Sequence, residues 1–252
     1  MKKFAFCIIA LVLCIGAYGQ SGGYKKGSFS HDGVTLPYRY IEPAVKEGEC
    51  YPLVVFLHGA GERGNDNELQ LTHGSQLFLD ARKTFPAYVV FPQCPEEGYW
   101  AYSSRPESFS PYLMPENPEE TPEIRAVMAL IDWFIANKSV DTARLYLVGL
   151  SMGAMAIYDI LVRYPDRFAA AQPICGTVNP ARLMGSFSTS IRIFHGDADP
   201  LVPVEASREA YATLDWMGAD VELIEFPGVG HGAWVPAFKR DDFLPWLFSH
   251  KL

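Results

Sequence analysis

The sequence predicts an α/β protein: a mostly parallel, doubly wound sheet of eight strands, with an antiparallel strand pair at its N-terminal edge and helices on both faces. Three observations predict it. Short, nearly continuous apolar runs recur along the chain, as strands covered on both faces require. Stretches of helical periodicity fall between them, and strands alternating with helices imply parallel pairing. Ahead of both, Asp32-Gly33 joins two strand-like runs at hairpin spacing.

Residues 1–19 stand outside that pattern. Lys2-Lys3 is a short basic region, Phe4 to Ile15 is apolar but too short to span a bilayer, and Ala17-Tyr18-Gly19 is a small-x-small cleavage signal. This predicts a signal peptide cut before Gln20, leaving 20–252 as a single domain with no membrane span in a secreted or periplasmic protein. The alternative is a lipid anchor on Cys14, but Leu13 is too large for the residue that precedes a lipidated cysteine.

After the leader, Tyr24 to His31 and Val34 to Ile41 read as the antiparallel pair. Buried strands follow at Leu53–Leu57, Tyr88–Phe91, Leu145–Gly149, Phe168–Ile174, Ile191–Phe194 and Val221–Phe226. Helical patterns occupy Gly74–Lys83, Pro122–Asn137, Met152–Tyr164, Val204–Met217 and Ala233–Phe248. The clearest is Pro122–Asn137, where Thr121 is an N-cap, Pro122 opens the first turn, and Ile124, Met128, Ile131 and Ile135 share a face. Ligands of such sheets bind beyond the carboxyl ends of the strands, so chemistry is expected in the segments that leave those ends.

Composition narrows the partners. Without Lys2 and Lys3 the chain carries 19 basic and 29 acidic residues, a formal charge of −10 with no basic cluster. Such a surface is a poor partner for nucleic acid or an anionic membrane. Cys50, Cys94 and Cys175 remain after the leader. Cys50 precedes a strand, whereas the other two follow the ends of separate strands, so no disulfide is expected.

Gly149-Leu-Ser-Met-Gly153 lies between the run Leu145–Gly149 and the helix from Met152. On such a strand–turn–helix elbow a serine is held strained and exposed, and the helix N-terminus behind it supplies donors for an oxyanion. Ser151 is therefore the candidate nucleophile. A serine needs a base and the base an orienting acid. For this elbow the order along the chain is Ser, then acid, then His. His231, in Gly228-Val-Gly-His231-Gly232 after the last strand, is the expected base. His250 lies two residues from the terminus and is set aside, and His58 precedes the serine and reads as a structural hydrogen-bonding residue. The acid should leave the preceding strand, where Asp199 before Pro200 is chosen, and Asp197 is expected to brace the turn. The oxyanion donors are the N–H of Met152 and, from the loop His58-Gly-Ala60-Gly-Glu-Arg-Gly64, that of Ala60.

The set Leu57-His-Gly-Ala-Gly61, Gly149-Leu-Ser-Met-Gly153, His195-Gly-Asp-Ala-Asp-Pro-Leu-Val-Pro203 and Gly230-His231 resembles the α/β-hydrolase superfamily across essentially the whole mature chain. It looks most like the phospholipase/carboxylesterase and dienelactone-hydrolase-like serine esterases, including secreted feruloyl and acetyl esterases that trim plant polysaccharides. The resemblance implies an α/β-hydrolase fold, a serine carboxylesterase acting on a small-molecule or polysaccharide ester, no metal and no cofactor. It also places the acid at the aspartate before the proline, which is Asp199 here. Dienelactone hydrolases proper carry a cysteine nucleophile, whereas this chain has Ser151. A serine peptidase of the prolyl-oligopeptidase type, a lipase or a thioesterase are the alternative activities.

Between Pro92 and Thr121 the chain is rich in proline and aromatic residues and leaves a strand's carboxyl end, so it should overhang the site. Trp100, Tyr102 and, beyond it, Trp234 either stack on an aromatic acyl group or a sugar ring, or pack the loop onto the body of the domain. Arg63 and Arg105 are candidates to meet a carboxylate or polar substrate group, with solvated surface as the plainer expectation.

Overall fold

Two residue sets alternate along each central strand, and they build the two sides of the sheet. Leu53, Val55 and Leu57 of β3 (Tyr51–Leu57) point to one side with Leu145 and Leu147 of β5 (Val140–Leu150). Val54 and Phe56, with Tyr146, Val148 and Leu150, point to the other. Every residue of β3 is buried, which explains its unbroken apolar run. The structure, a computed structural model, describes residues 23–252. The expected signal peptide, its cleavage before Gln20 and the Cys14 alternative lie outside the described residues.

The sheet has eight strands in the order β1-β2-β4-β3-β5-β6-β7-β8. β1 (Lys25–His31) and β2 (Val34–Ile41) pair antiparallel, and β2 runs antiparallel to β4 (Tyr88–Pro92). Asp32 and Gly33 both take positive φ, +47° and +80°, the backbone of a tight hairpin turn. From β4 onward every pairing is parallel, through β3, β5, β6 (Ala170–Ile174), β7 (Ser190–Gly196) and β8 (Val221–Phe226).

On one side, α2 (Pro122–Asn137), α3 (Met152–Arg163) and α4 (Glu205–Trp216) bury Ile124, Ile131, Met155, Ile160, Ala206 and Leu214 against the sheet. The Thr121 hydroxyl caps α2 by accepting the Ile124 N–H at 3.1 Å. The other side is covered by α1 (Ser75–Ala81), α5 (Trp234–Phe238) and α6 (Phe243–Ser249).

The single helix expected over 233–248 is two. Pro245 has no N–H to give the carbonyl of Asp241, and its ring would collide with that carbonyl in a continuous helix. The chain breaks at 239–242, and Pro245 falls in the first turn of α6, where a missing donor costs nothing. Among the described residues no helix is long and apolar enough to cross a membrane. Cys50, Cys94 and Cys175 are free. Cys94 and Cys175 follow β4 and β6, which stand three strand spacings apart, about 14 Å.

Candidate active site

The ends of β3, β5, β7 and β8 deliver the site. Ser151 follows β5 directly, with φ 53° and ψ −116°, a conformation an L-residue holds at a cost of about 1–3 kcal/mol. The close crossing of β3, β5 and α3 imposes it. A Cβ on Gly153 would lie 1.9 Å from the Leu57 carbonyl oxygen, and one on Gly149 would lie 2.9 Å from it. Ser151 N–H donates to the Ile174 carbonyl at 2.8 Å, pinning the elbow to β6.

His231, on the loop after β8, approaches Ser151 Oγ through Nε2 at 2.9 Å. Its Nδ1 donates to Asp199 Oδ2 at 2.7 Å. Asp199 leaves β7, and its carboxylate is wholly buried. Oδ1 accepts the N–H groups of Leu201 at 2.8 Å and Val202 at 3.0 Å. Burial alone would push this carboxyl up, but hydrogen bonds from His195, His231 and the two amides outweigh it and hold it well below the usual carboxylate range. Asp197 does brace the turn, by a longer reach than expected: its Oδ1 accepts the Gly228 N–H at 2.6 Å, tying the β7 loop to the His231 loop.

Beside the serine, Ala60 opens a short 3-10 turn, Ala60–Glu62, and Met152 is the first residue of α3. N–H groups at such starts have no partner within their helix. His58 locks the Ala60 loop from behind. Nδ1 faces the Gly59 carbonyl at 2.6 Å, and Nε2 accepts the Cys94 N–H at 2.9 Å, which fixes one neutral tautomer. Burial lowers the His58 imidazole to about 4. Arg63 is not free surface: it donates to the carbonyls of Ala60 and Gly98 at 2.9 and 3.1 Å.

A cavity of about 260 Å3 opens above Ser151 and His231, walled by Tyr99, Arg105, Phe109 and Trp234. Trp234 thus stands at the cavity, 5.8 Å edge-on from the His231 ring. Trp100 and Tyr102 do not. Both are buried beneath the overhang, and Trp100 gives its indole N–H to the His58 carbonyl at 3.1 Å. Tyr99, the residue before Trp100, is the one that lines the cleft. A wider groove of about 610 Å3 at the amino end of the sheet holds Cys50, Phe85 and Phe248 but no histidine. Among the described residues no group of three or more His, Cys, Asp or Glu side chains could hold a metal ion.

The sequence reading also missed His195, the last side chain of β7, whose Nε2 lies 3.2 Å from Asp199 Oδ2. Its position four residues before Asp199 was the available signal, but only the tight turn at 196–199 makes the two meet.

A serine strained at the end of a central strand, with a histidine and an aspartate delivered by the last two strands of a mixed eight-stranded sheet, places this fold in the α/β-hydrolase class. Within it, the chain belongs to the phospholipase/carboxylesterase family, whose model matches residues 41–240, and it is an ester hydrolase of that serine-dependent type. A probable inactive carboxylesterase of Oryza sativa subsp. japonica is 26% identical over 203 residues, covering 76% of this chain and 82% of that protein. A thermostable esterase superposes with a TM-score of 0.79 at 32% identity over 91% of this chain, which spans 64% of that one. A ferulic acid esterase shares the fold, with a TM-score of 0.68 at 15% identity, over 90% of this chain and 98% of its own.

Proposed function

We propose that this protein is an exported serine carboxylesterase that hydrolyses acyl esters, acetyl or feruloyl, on plant polysaccharide or on related small esters. The carrying observation is the relay Ser151–His231–Asp199, closed by contacts of 2.9 and 2.7 Å. Ser151 attacks the ester carbonyl while His231 takes its proton, and Asp199 stabilises the imidazolium that results. The N–H groups of Met152 and Ala60 receive the oxyanion of the tetrahedral intermediate, a contribution of about 3 kcal/mol for each donor. His231 returns its proton to the departing alcohol and then activates the water that frees the enzyme. The aromatic walls Tyr99, Phe109 and Trp234 suit a planar acyl group or a sugar ring.

The test is a panel of acetyl, butyryl and feruloyl esters, free and on xylan, with the matching amides. Ser151→Ala should lower ester hydrolysis by about a thousandfold or more while the fold survives. Amides cleaved as fast as esters would replace this reading with a peptidase of the prolyl-oligopeptidase type. N-terminal sequencing of the exported protein should begin at Gln20, and a lipidated Cys14 would replace secretion with anchoring.

A further inference from the structure

We infer that His195 is a positioning residue for this reaction: a second imidazole that holds the Asp199 carboxylate and limits the charge it presents to His231. The inference rests on the reading of Ser151, His231 and Asp199 given above.

His195 is wholly buried at the end of β7. Its Nε2 hydrogen-bonds the Val202 carbonyl at 3.0 Å and also lies 3.2 Å from Asp199 Oδ2, within ion-pair distance. A ring nitrogen between two acceptors must carry the hydrogen. Nδ1 lies 2.6 Å from Ser207 Oγ on α4, and that serine is also wholly buried. In the neutral ring Nδ1 accepts the Ser207 hydroxyl, so Ser207 sets the tautomer that points N–H at the carboxylate.

The oxygen His195 reaches is the one His231 uses. Asp199 Oδ2 serves both imidazoles, while Oδ1 serves the Leu201 and Val202 amides. A donor on Oδ2 stops the carboxylate rotating away from His231. It also draws electron density from the oxygen that polarises His231, because two donors share one anionic acceptor. Removing it leaves Oδ2 to His231 alone, which favours the imidazolium and keeps His231 protonated to higher pH. The free base that Ser151 requires then appears later in a titration.

Other ionisable groups surround the relay. Burial pushes the Cys175 thiol up, so it stays uncharged beside Asp199. Glu225 on β8, near His195, is bonded to Arg208. Tyr158 on α3 lies by Ser207, its hydroxyl pushed up by burial. Glu62 and Arg105 line the cleft. None of these groups is itself substituted in the His195 variants.

The experiment is the pH profile of kcat/KM for a simple acyl ester, with thermal unfolding beside it, for the wild type, His195→Leu, His195→Gln and Ser207→Ala. His195→Leu should move the acidic limb up by roughly one pH unit, with KM unchanged because His195 does not reach the cleft. Ser207→Ala should move it the same way by less, and His195→Gln, which can keep an N–H near the Nε2 position, should stay close to the wild type. Lower unfolding temperatures with coincident limbs would make His195 a packing residue and overturn the inference. Should His195→Leu fail to fold, an unmoved limb in Ser207→Ala has the same force. A wild type that hydrolyses no ester would overturn the reading of the site, and this inference with it.

Discussion

At Gly153 an added methyl group would have to occupy space already held by the backbone of β3. The Leu57 carbonyl oxygen would lie 1.9 Å from it and the His58 carbonyl oxygen 2.9 Å. Neither atom can rotate aside as a side chain would, so β3 and α3 must separate. Gly153→Ala should therefore lower the free energy of unfolding by about 3 kcal/mol or more. Gly185, where a Cβ meets nothing within 4 Å and φ is not positive, is the matched control. Gly185→Ala should leave the denaturant midpoint nearly unchanged, and equal losses at the two sites would refute the steric account of the elbow. The same crowding sets Ser151 at φ 53°. The placement of Ser151 and the glycine's necessity thus have one cause, the distance at which β3, β5 and α3 cross.

The segment from 93 to 121 works as an element although it holds little regular structure beyond one turn at Pro111–Leu113. It is stitched to the body along its length: the Trp100 indole to the His58 carbonyl, the Thr121 hydroxyl to the Trp100 carbonyl, and the Asn179 amide to the Met114 carbonyl at 2.9 Å. Its two sides should separate by mutation. Trp100→Ala removes a fully buried indole and should cost about 3–5 kcal/mol of stability. Trp234→Ala, at the cavity wall, should raise KM for a feruloyl ester several-fold over that for an acetyl ester, with a smaller loss of stability. Selectivity that followed Trp100 instead would reverse the assignment of walls and core. The sequence showed that this segment is aromatic and where it begins. It did not show which ring turns inward, because a segment without period gives no face to read. In the strands the period is two, and Val54 and Val55 fell on opposite sides of the sheet as alternation requires. The proposed triad was legible for a similar reason: each member follows a strand whose apolar run marks its end. His195 was not, because it meets Asp199 through a turn whose geometry no pattern encodes. The break between α5 and α6 was written in Pro245 and in the charged stretch Lys239-Arg-Asp-Asp242, which a helical pattern spread over 233–248 obscured.

For the whole molecule, the net charge of −8 and the buried histidines make acid the informative stress. His58 carries the clearest sign. Its folded value is lowered to about 4, whereas in the unfolded chain an imidazole titrates near its usual 6.5. Between those two values the unfolded chain binds a proton that the folded one refuses, so stability falls as pH drops through this window. The loss approaches about 3 kcal/mol near pH 4, a large share of the 5–15 kcal/mol typical of a domain. Asp199 contributes in a lower window: its carboxyl is depressed, so its share is intact above the ordinary carboxylate range and is lost only as pH falls well below it. Denaturant unfolding followed from neutral pH to about pH 4.5 should thus show a decline set chiefly by His58 rather than by Asp199. His58→Gln, which cannot titrate, should start less stable at neutral pH and show a flatter decline. A wild-type profile level across this range would mean that His58 accepts a proton without leaving its place behind Ala60. The neutral lock on that loop would then be wrong.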